Sequence, residues 1–476
     1  MGKAHRKNGL NFMNINNIHT VYFLGVGGIG MSALARYFLI KGCKVYGYDK
    51  TKTSLTEELE AEGIVVHYDE DVALIPDAVN NNEEGILVVY TPAIPKNNKE
   101  LLSLQQSGVK LYKRSEVLGL ISQEYFTIAV AGTHGKTTTS SMIAHVLNEC
   151  GVKCNAFLGG ISLNFNSNLL LNEDAKIVVV EADEFDRSFL TLKPNIAIVT
   201  SLDADHLDIY ENKNEMHNAY KAFVEKINPT GTLITKQAYL STLQTNKELK
   251  TLTYSIEREA DYSLKSKRVE DGNFLIDIKT PSDISQNMVI GLPGIHNIEN
   301  GLAAFVVADL LKIDREKIKA ALKSYKGVKR RFEFHIKTNE LVYIDDYAHH
   351  PTELTFAISS IKELYPNKKI TGVFQPHLYS RTRDFADEFA ASLSLLDELI
   401  LLDIYPAREL PIASVNSEML LEKVTIQHKK LLQKEEVLSY FKANQPEVLV
   451  TLGAGDIDTL VQPLKIILNA KAVNYL

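Results

Sequence analysis

Apolar residues fall along this chain in two rhythms. Short runs that are apolar almost without interruption alternate with stretches in which apolar positions recur every three or four residues. The first rhythm fits strands buried on both faces of a parallel sheet, the second the amphipathic helices that cover it. Three such blocks follow one another. The first holds the strands "TVYFLG" (20–25), "KVYGYD" (44–49), "IVVHY" (64–68) and "ILVVY" (86–90), with the helix "MSALARYFLIKG" (31–42) after the first strand; it closes near residue 125 without a compositional linker. The second opens at "FTIAVAG" (126–132) and continues through "AKIVVVEADE" (175–184) and "NIAIVTSLDADHLD" (195–208). It turns β-rich from about 231 to 291, with "GTLITK", "KTLTYS" and "GNFLIDIKT" as short strands. A helix around "NIENGLAAFVVADLLK" (297–312) and a basic link, "SYKGVKRRF" (324–332), lead to the third block, with strands "LVYIDD", "KITGVFQ", "ELILLDIY" and "EVLVTLGAG". The predicted fold class is α/β in three domains, over residues 19–125, 126–328 and 329–476, after a disordered extension over residues 1–18.

Composition narrows the function more than the fold. The 476 residues are 45% hydrophobic and 23% charged, as in ordinary globular proteins. Lys plus Arg number 52 and Asp plus Glu 59, a net charge of −7. That argues against a coat for nucleic acid, which needs a basic face; a small anionic substrate needs only a local cluster of cations. Cys43, Cys150 and Cys154 make neither a disulfide framework nor a four-ligand zinc set, and they read as reduced thiols of a cytoplasmic protein. The N-terminal stretch is basic but lacks the apolar core of a secretory signal. No run approaches the roughly 18 apolar residues of a membrane span.

Two glycine-rich loops carry the clearest chemistry. Gly25-x-Gly27-x-x-Gly30 follows a strand and opens a helix, and Asp49 ends the next strand about 20 residues on, as a nucleotide or diphosphate fingerprint requires. Backbone N–H groups of Gly25, Gly27, Gly28, Ile29 and Gly30 can then approach a diphosphate at a helix N-terminus. "VAGTHGKTTT" (130–139) resembles the phosphate cradle G-x-x-x-x-G-K-[ST], except that Val130 stands where its first glycine belongs. Gly132, Thr133, His134, Gly135, Lys136, Thr137 and Thr138 still span a strand-to-helix loop. Its amides can bind phosphate oxygens, Lys136 adds a point charge, and the Thr137 hydroxyl can hold Mg²⁺. A chance Gly-Lys-Thr is the weaker reading.

Further groups gather at strand ends, where ligands bind in open α/β sheets. Glu181 ends one strand and suits a hard cation; Asp205 and His206 follow the next, and His206 reads equally as a metal ligand or a capping or core residue. Asp183, Glu184 and Asp186 read as a solvated acidic turn. Asn297 and Asn300, in "GIHNIENGLAA", could pair with an adenine edge, but by spacing alone they read as ordinary caps. In the third block, "DDYAHHPTE" and "FQPHLYSRTRD" each follow a strand and bring Asp346, His349, His350, His377, Arg381 and Arg383 toward one crevice. Arginine forks there suit a carboxylate or phosphate, and a salt-bridged surface is the plainer alternative.

These motifs together resemble the Mur ligases, the ATP-dependent amino-acid ligases of bacterial cell-wall synthesis. "GVGGIGMSALA", "AGTHGKTTT", "EADEFDRSF", "DADHLD", "GIHNIEN", "KRRF", "DDYAHHPTE" and "FQPHLYSRTRD" match in order over nearly the whole chain after residue 18. The shortened loop is that family's G-T-x-G-K-[ST] form. The resemblance implies a UDP-binding, Rossmann-like N-terminal domain, a central P-loop ATPase-like domain with a β-rich portion, and a Rossmann-like C-terminal domain. It implies that L-alanine is joined to the lactyl carboxylate of UDP-N-acetylmuramate, with ATP as substrate and Mg²⁺ as cofactor, through an acyl phosphate. It further implies Thr137 and Glu181 as ligands of one Mg²⁺ and Glu181 with His206 as ligands of a second. Asn297, Asn300 and Arg331 become ATP contacts; Asp346, His349, His377, Arg381 and Arg383 line the amino-acid side; the first glycine loop and Asp49 hold the uridine diphosphate. Two places depart from the family pattern: Tyr90–Asn98, "YTPAIPKNN", where a Ser-Ser-Ala-Ile type sequence is expected, and Leu378, where some relatives carry Arg. A murein tripeptide ligase of the same superfamily is the near alternative. A dinucleotide-dependent dehydrogenase is the alternative of another class, and it leaves the second loop without a role.

Overall fold

The computed structural model describes residues 15–203, 210, 212–270, 273–407 and 409–473. The chain forms three α/β domains, each built on its own sheet. The first sheet is all parallel, in the order Val65–His67, Lys44–Tyr48, Thr20–Leu24, Ile86–Tyr90, Leu111–Lys113. Its central strand Thr20–Leu24 is buried throughout, as its unbroken apolar run requires. Leu111–Lys113 was not visible in the sequence: three half-buried residues carry no periodicity to detect.

The central sheet has ten strands. From one edge to the other they are Ile284–Val289, Asn273–Lys279, Tyr262–Glu270, Lys250–Ser255, Thr232–Lys236, Ile196–Val199, Phe126–Ala131, Ile177–Glu181, Cys154–Ser162 and Ser167–Leu170. Antiparallel pairing is confined to the two margins; the strands between them run parallel. Phe126–Ala131 therefore lies inside the parallel region, flanked by Ile177–Glu181 and Ile196–Val199, and all three strands end at the same edge. The third sheet runs Glu333–Lys337, Val342–Asp346, Val448–Leu452, Ile370–Phe374, Glu398–Leu401, Lys429–Leu431, parallel except for the first pair.

The helix Ile295–Leu310 is apolar on nearly every side and, apart from half-buried Glu299, is buried from Asn297 to Ala308. It packs on the helix Lys136–Glu149, and the apolar cluster around it continues through Phe332 into Val342, Leu354 and Phe374 of the third domain. A second cluster joins Val21 and Phe38 of the first domain to Phe157 and Val180 of the central one. Of the expected N-terminal extension, residues 1–14 lie outside the described residues. Residues 15–18 correct its extent: Ile15–Asn17 form a 3-10 turn, and Ile15 and Ile18 pack on the core. Cys43, Cys150 and Cys154 are free thiols, and burial raises Cys154 to about 12. Among the described residues no helix is long and apolar enough to cross a membrane.

Phe305 is fully buried at the middle of that central helix, 6.2 Å from the Tyr262 ring centroid. Phe305→Ala removes a whole ring from a packed interior, so it is expected to cost about 3–5 kcal/mol in denaturant unfolding. A midpoint equal to that of the parent protein would contradict this account of the core.

Candidate functional site

The loop after Phe126–Ala131 has a backbone that only glycine suits at two points. Gly132 has φ 135° and Gly135 φ 81°, both in the left-handed half that L side chains avoid. A Cβ on Gly132 would stand 2.2 Å from Thr200 Oγ1 and 2.7 Å from the Ser201 backbone nitrogen. The loop is closed against the neighbouring strand end, where Thr200 Oγ1 donates to the His134 carbonyl and Thr133 Oγ1 pairs with Ser201 Oγ. That closure replaces the missing first glycine: a short loop wedged against the next strand needs Gly132, not a glycine at 130.

Lys136 opens the following helix, and its Nζ curls back to the Gly132 carbonyl at 2.7 Å and Glu184 Oε1 at 2.8 Å. Burial works against its charge, but Glu184, Glu181 and Asp183 outweigh it and hold the ammonium above its ordinary pKa. The solvated reading of the acidic turn fails at Glu184, which is buried and ion-paired. Asp186 is exposed and pairs with Lys113, and Asp183 stands 3.6 Å from Arg114. Glu181 faces the loop from the next strand. Its Oε2 accepts from the Gly159 N–H at 3.1 Å, the Thr137 hydroxyl bonds its carboxylate, and burial raises its pKa. Thr137 and Glu181 thus place two hard oxygen donors side by side, a pair that suits Mg²⁺ once phosphate oxygens and water complete the shell. Asp205 and His206 lie outside the described residues. Among those described, no group of three or more His, Cys, Asp or Glu could hold a metal ion.

A cavity of about 610 Å³ opens beside this loop, between the helix Ile295–Leu310 and the first loop of the third domain. Its wall includes Lys236, paired with Glu299 at 2.6 Å. Asn297 and Asn300 are buried on the same wall, and neither caps the helix, whose N-cap is Gly294. Asn297 donates to the Pro293 carbonyl, and Asn300 Oδ1 accepts from Thr139, so the pair braces the phosphate loop. On the opposite wall Arg331 lies 4.9 Å over the Tyr347 ring and 4.0 Å from Glu353. Asp346 accepts from the Phe332 and Ala348 N–H groups, yet burial raises it to about 6.

Glu353 is the junction that the sequence did not single out. It lies 3.2 Å from His349 Nδ1 and 3.6 Å from His134 Nδ1, besides Arg331; burial works against its charge, but His349, His134 and Arg331 hold its pKa well below the usual range. An acidic residue in the first turn of a helix reads as a helix-dipole partner, which hides a role across domains. Beyond it, the His377 ring stacks on Tyr405 and meets His349 edge-on at 5.8 Å; burial lowers His377 to about 4. Arg381 is half-buried on the short helix Tyr379–Asp384, while Arg383 is exposed and bonds Asp384 at 2.7 Å. Leu378, at φ 72°, caps that helix. His350 caps the helix Pro351–Leu364.

In the first domain the glycine loop joins Thr20–Leu24 to the helix Ile29–Ile40. Asp49 Oδ2 accepts from the Gly27 N–H at 2.8 Å, so this carboxylate holds the loop's own backbone. The Tyr90–Asn98 segment lies against it, with Thr91 Cγ2 only 2.6 Å from where a Gly25 Cβ would be. A second cavity, of about 270 Å³, runs from Gly28, Ile29 and Gly30 past Arg114 to Gly159 and Glu181. Arg114, unflagged in the sequence, lies 2.9 Å from where a Gly30 Cβ would stand. The two glycine loops therefore face a common point at Glu181.

Models of the Mur ligase family match almost end to end: "Mur ligase family, catalytic domain" over residues 20–126, "Mur ligase middle domain" over 130–308 and "Mur ligase, glutamate ligase domain" over 330–455. The chain is 51% identical to a UDP-N-acetylmuramate–L-alanine ligase of Parabacteroides distasonis, covering 96% of this chain and 98% of that one. It is 48% identical to the enzyme of that name from Christiangramia forsetii, covering 95% and 98%. Among solved structures, the UDP-N-acetylmuramate-alanine ligase of Thermotoga maritima superposes with a TM-score of 0.80 at 26% identity, over 96% and 99% of the two chains. A murein peptide ligase of Psychrobacter arcticus shares the fold at TM-score 0.69 and 22% identity, over 94% and 98%.

Two measurements test this geometry. Gly132→Ala forces a Cβ onto backbone atoms and is expected to abolish nucleotide binding; ADP calorimetry with an affinity like the parent's would refute the closed loop. Asp346 keeps its proton in the folded chain between about pH 4 and 6, where the unfolded chain has released it. The group therefore costs stability as pH rises through that window. Asp346→Asn, which keeps an acceptor oxygen, should gain stability relative to the parent from pH 4 to 6.5 in thermal unfolding. A constant difference would show that burial does not hold the proton there.

Proposed function

The chain belongs to the Mur ligase family, and from that we propose that it is an ATP-dependent ligase joining L-alanine to the lactyl carboxylate of UDP-N-acetylmuramate, a cytoplasmic step of peptidoglycan precursor synthesis. The observation that carries this reading is that two glycine loops from different domains meet at one carboxylate: Glu181 bonds Thr137 of the second loop and lines the cavity that begins at Gly28–Gly30 of the first. The near full-length relatives that bear the alanine-ligase name support the choice of amino acid.

The chemistry follows from the arrangement. The uridine diphosphate lies along Gly25, Gly27, Gly28, Ile29 and Gly30, on a loop that Asp49 keeps in shape. The lactyl carboxylate then points along the second cavity toward Glu181. ATP lies in the larger cavity, with its phosphates on Gly132 to Thr138 and Asn297 and Asn300 beside it. A carboxylate attacking a polyanion needs its charge offset. Lys136 supplies one cation and Arg331, across the cavity, another. Thr137 and Glu181 would hold Mg²⁺, with His206 assigned to a second site by resemblance, and the bound ion would supply further neutralisation. ADP leaves as the carboxylate becomes an acyl phosphate. The alanine amine attacks that carbonyl through a tetrahedral intermediate, and phosphate departs. Asp346, His349, His377, Arg381 and Arg383 line the alanine side, where Arg381 is best placed to clamp the amino-acid carboxylate because it is half-buried and Arg383 is engaged by Asp384.

The tripeptide-ligase alternative is not favoured, since relatives 51% and 48% identical over nearly the whole chain bear the alanine-ligase name. A dehydrogenase would leave the buried Lys136, Glu181 and Glu184 set without work.

Lys136→Ala is expected to abolish phosphate release while calorimetry still detects UDP-N-acetylmuramate, because the two glycine loops belong to different domains. Loss of both with an intact circular dichroism spectrum would mean that the domains are misassigned. Supplied with UDP-N-acetylmuramate, ATP and Mg²⁺, the protein should turn over L-alanine best and glycine and serine less well, since one methylene or hydroxyl discriminates by only about 1–3 kcal/mol. Arg381→Ala should raise the KM for alanine. Product mass decides: turnover of L-Ala-D-Glu-diaminopimelate without turnover of alanine would overturn the assignment.

A further inference from the structure

Beside the apolar junction and the Lys113–Asp186 and Arg114–Asp183 pairs, a buried amide fastens the first domain to the central one. Asn168 lies on the margin strand Ser167–Leu170 of the central sheet and is fully buried. Its Oδ1 accepts from Arg36 Nη1 at 2.7 Å, and its Nδ2 donates to the Ile29 carbonyl at 2.6 Å and to Ser32 Oγ at 2.9 Å. A guanidinium only donates, so Arg36 fixes which way the amide faces. Every one of these partners belongs to the helix Ile29–Ile40, and two of them are in the first turn, where the glycine loop delivers its N–H groups.

Arg36 carries the connection further. It is also buried, and its remaining donors reach Glu62 through Nε at 2.9 Å and Nη2 at 2.7 Å, and Glu58 at 3.2 Å. Both carboxylates lie on the helix Ser54–Glu62, which follows Asp49, the residue that bonds the Gly27 N–H. One central-domain side chain thus holds the glycine loop from two sides. The cavity bounded by that loop ends at Glu181, and the alignment of the loop with Glu181 sets the gap between the substrate carboxylate and the γ-phosphate.

We propose that Asn168 is a positioning residue for acyl-phosphate formation: it fixes the substrate-bearing helix of the first domain at the separation from Glu181 that the reaction requires. The proposal rests on the ligase reading above. It touches neither nucleotide, so its loss spares binding and damages alignment. A reacting pair must stand about 3–3.5 Å apart, and a misplacement of about 1 Å costs on the order of 100-fold in rate.

Two variants separate alignment from folding. Asn168→Ala removes all three bonds. Asn168→Asp keeps the acceptor for Arg36 and sets an oxygen against the Ile29 carbonyl, which displaces the helix without opening a hole. In both, the dissociation constants of UDP-N-acetylmuramate and ADP by calorimetry should stay within about threefold of the parent, while hydroxylamine-trapped acyl phosphate, formed without alanine, should fall at least about tenfold. An unchanged trapping rate, or a fall matched by lost affinity, overturns the proposal. A second readout needs no activity: pulsed spin-label distances between Gln106→Cys in the first domain and Asn246→Cys in the central one, with Cys150→Ser. The distribution should broaden or shift in both variants, and an identical one overturns the proposal. A parent protein that traps no acyl phosphate overturns the ligase reading instead, and the distances still decide on Asn168.

Discussion

The central domain's glycine loop, from Gly132 to Thr138, hangs from the parallel register of three strands. Val130 pairs with Glu181 and Ala131 with Val199, so three chain segments leave the central sheet at one edge, at one height. Glu181, Gly132 and Thr200 then need no further device to stand together. An antiparallel neighbour at either side would have put a turn where the phosphate loop has to open. The loop can be short because Thr200 and Ser201 close its far side, and that closure is what forbids a side chain at position 132.

Charge is balanced locally before any substrate arrives. Lys136 is paired with the buried Glu184, Lys236 with Glu299, and Arg331, His349 and His134 share Glu353. Breaking a buried pair by removing one partner costs about 3–5 kcal/mol, because the other charge is left uncompensated. A triphosphate avoids that cost by exchanging one anionic partner for another. The same arrangement lets carboxylates stand near a polyanion site: Glu184, Glu299 and Glu353 each have a cationic partner, and Asp346 accepts from two backbone N–H groups.

The domains are separate sheets but not separate cores. Apolar clusters run through both junctions, from Phe38 to Phe157 at one and from Ile298 through Phe332 to Leu354 at the other. Polar contacts set the alignment that apolar packing leaves loose, since a hydrophobic contact is non-directional and a hydrogen bond is not. Asn168 at one junction and Glu353 at the other are such contacts.

The sequence by itself determined what depends on neighbours along the chain. Unbroken apolar runs specify buried parallel strands; glycines at 25, 27 and 30 and at 132 and 135 specify tight strand-to-helix loops; Glu181 stands at a strand end because its strand is four valine and isoleucine residues long before it. Short half-buried strands such as Leu111–Lys113 carried no such signal. The tertiary structure alone decided which long side chains meet. Lys136 and Glu184 are 48 positions apart, Asn168 and Arg36 132 apart, and nothing near any of them in the chain names its partner. Glu184 looked like part of a solvated turn and Asn297 like a cap, each the better local reading. Burial against a distant segment overrode the first, because a charged group withdrawn from water must find its partner wherever the fold provides one; Asn297 instead bonds Pro293 and Asn300, four and three positions away.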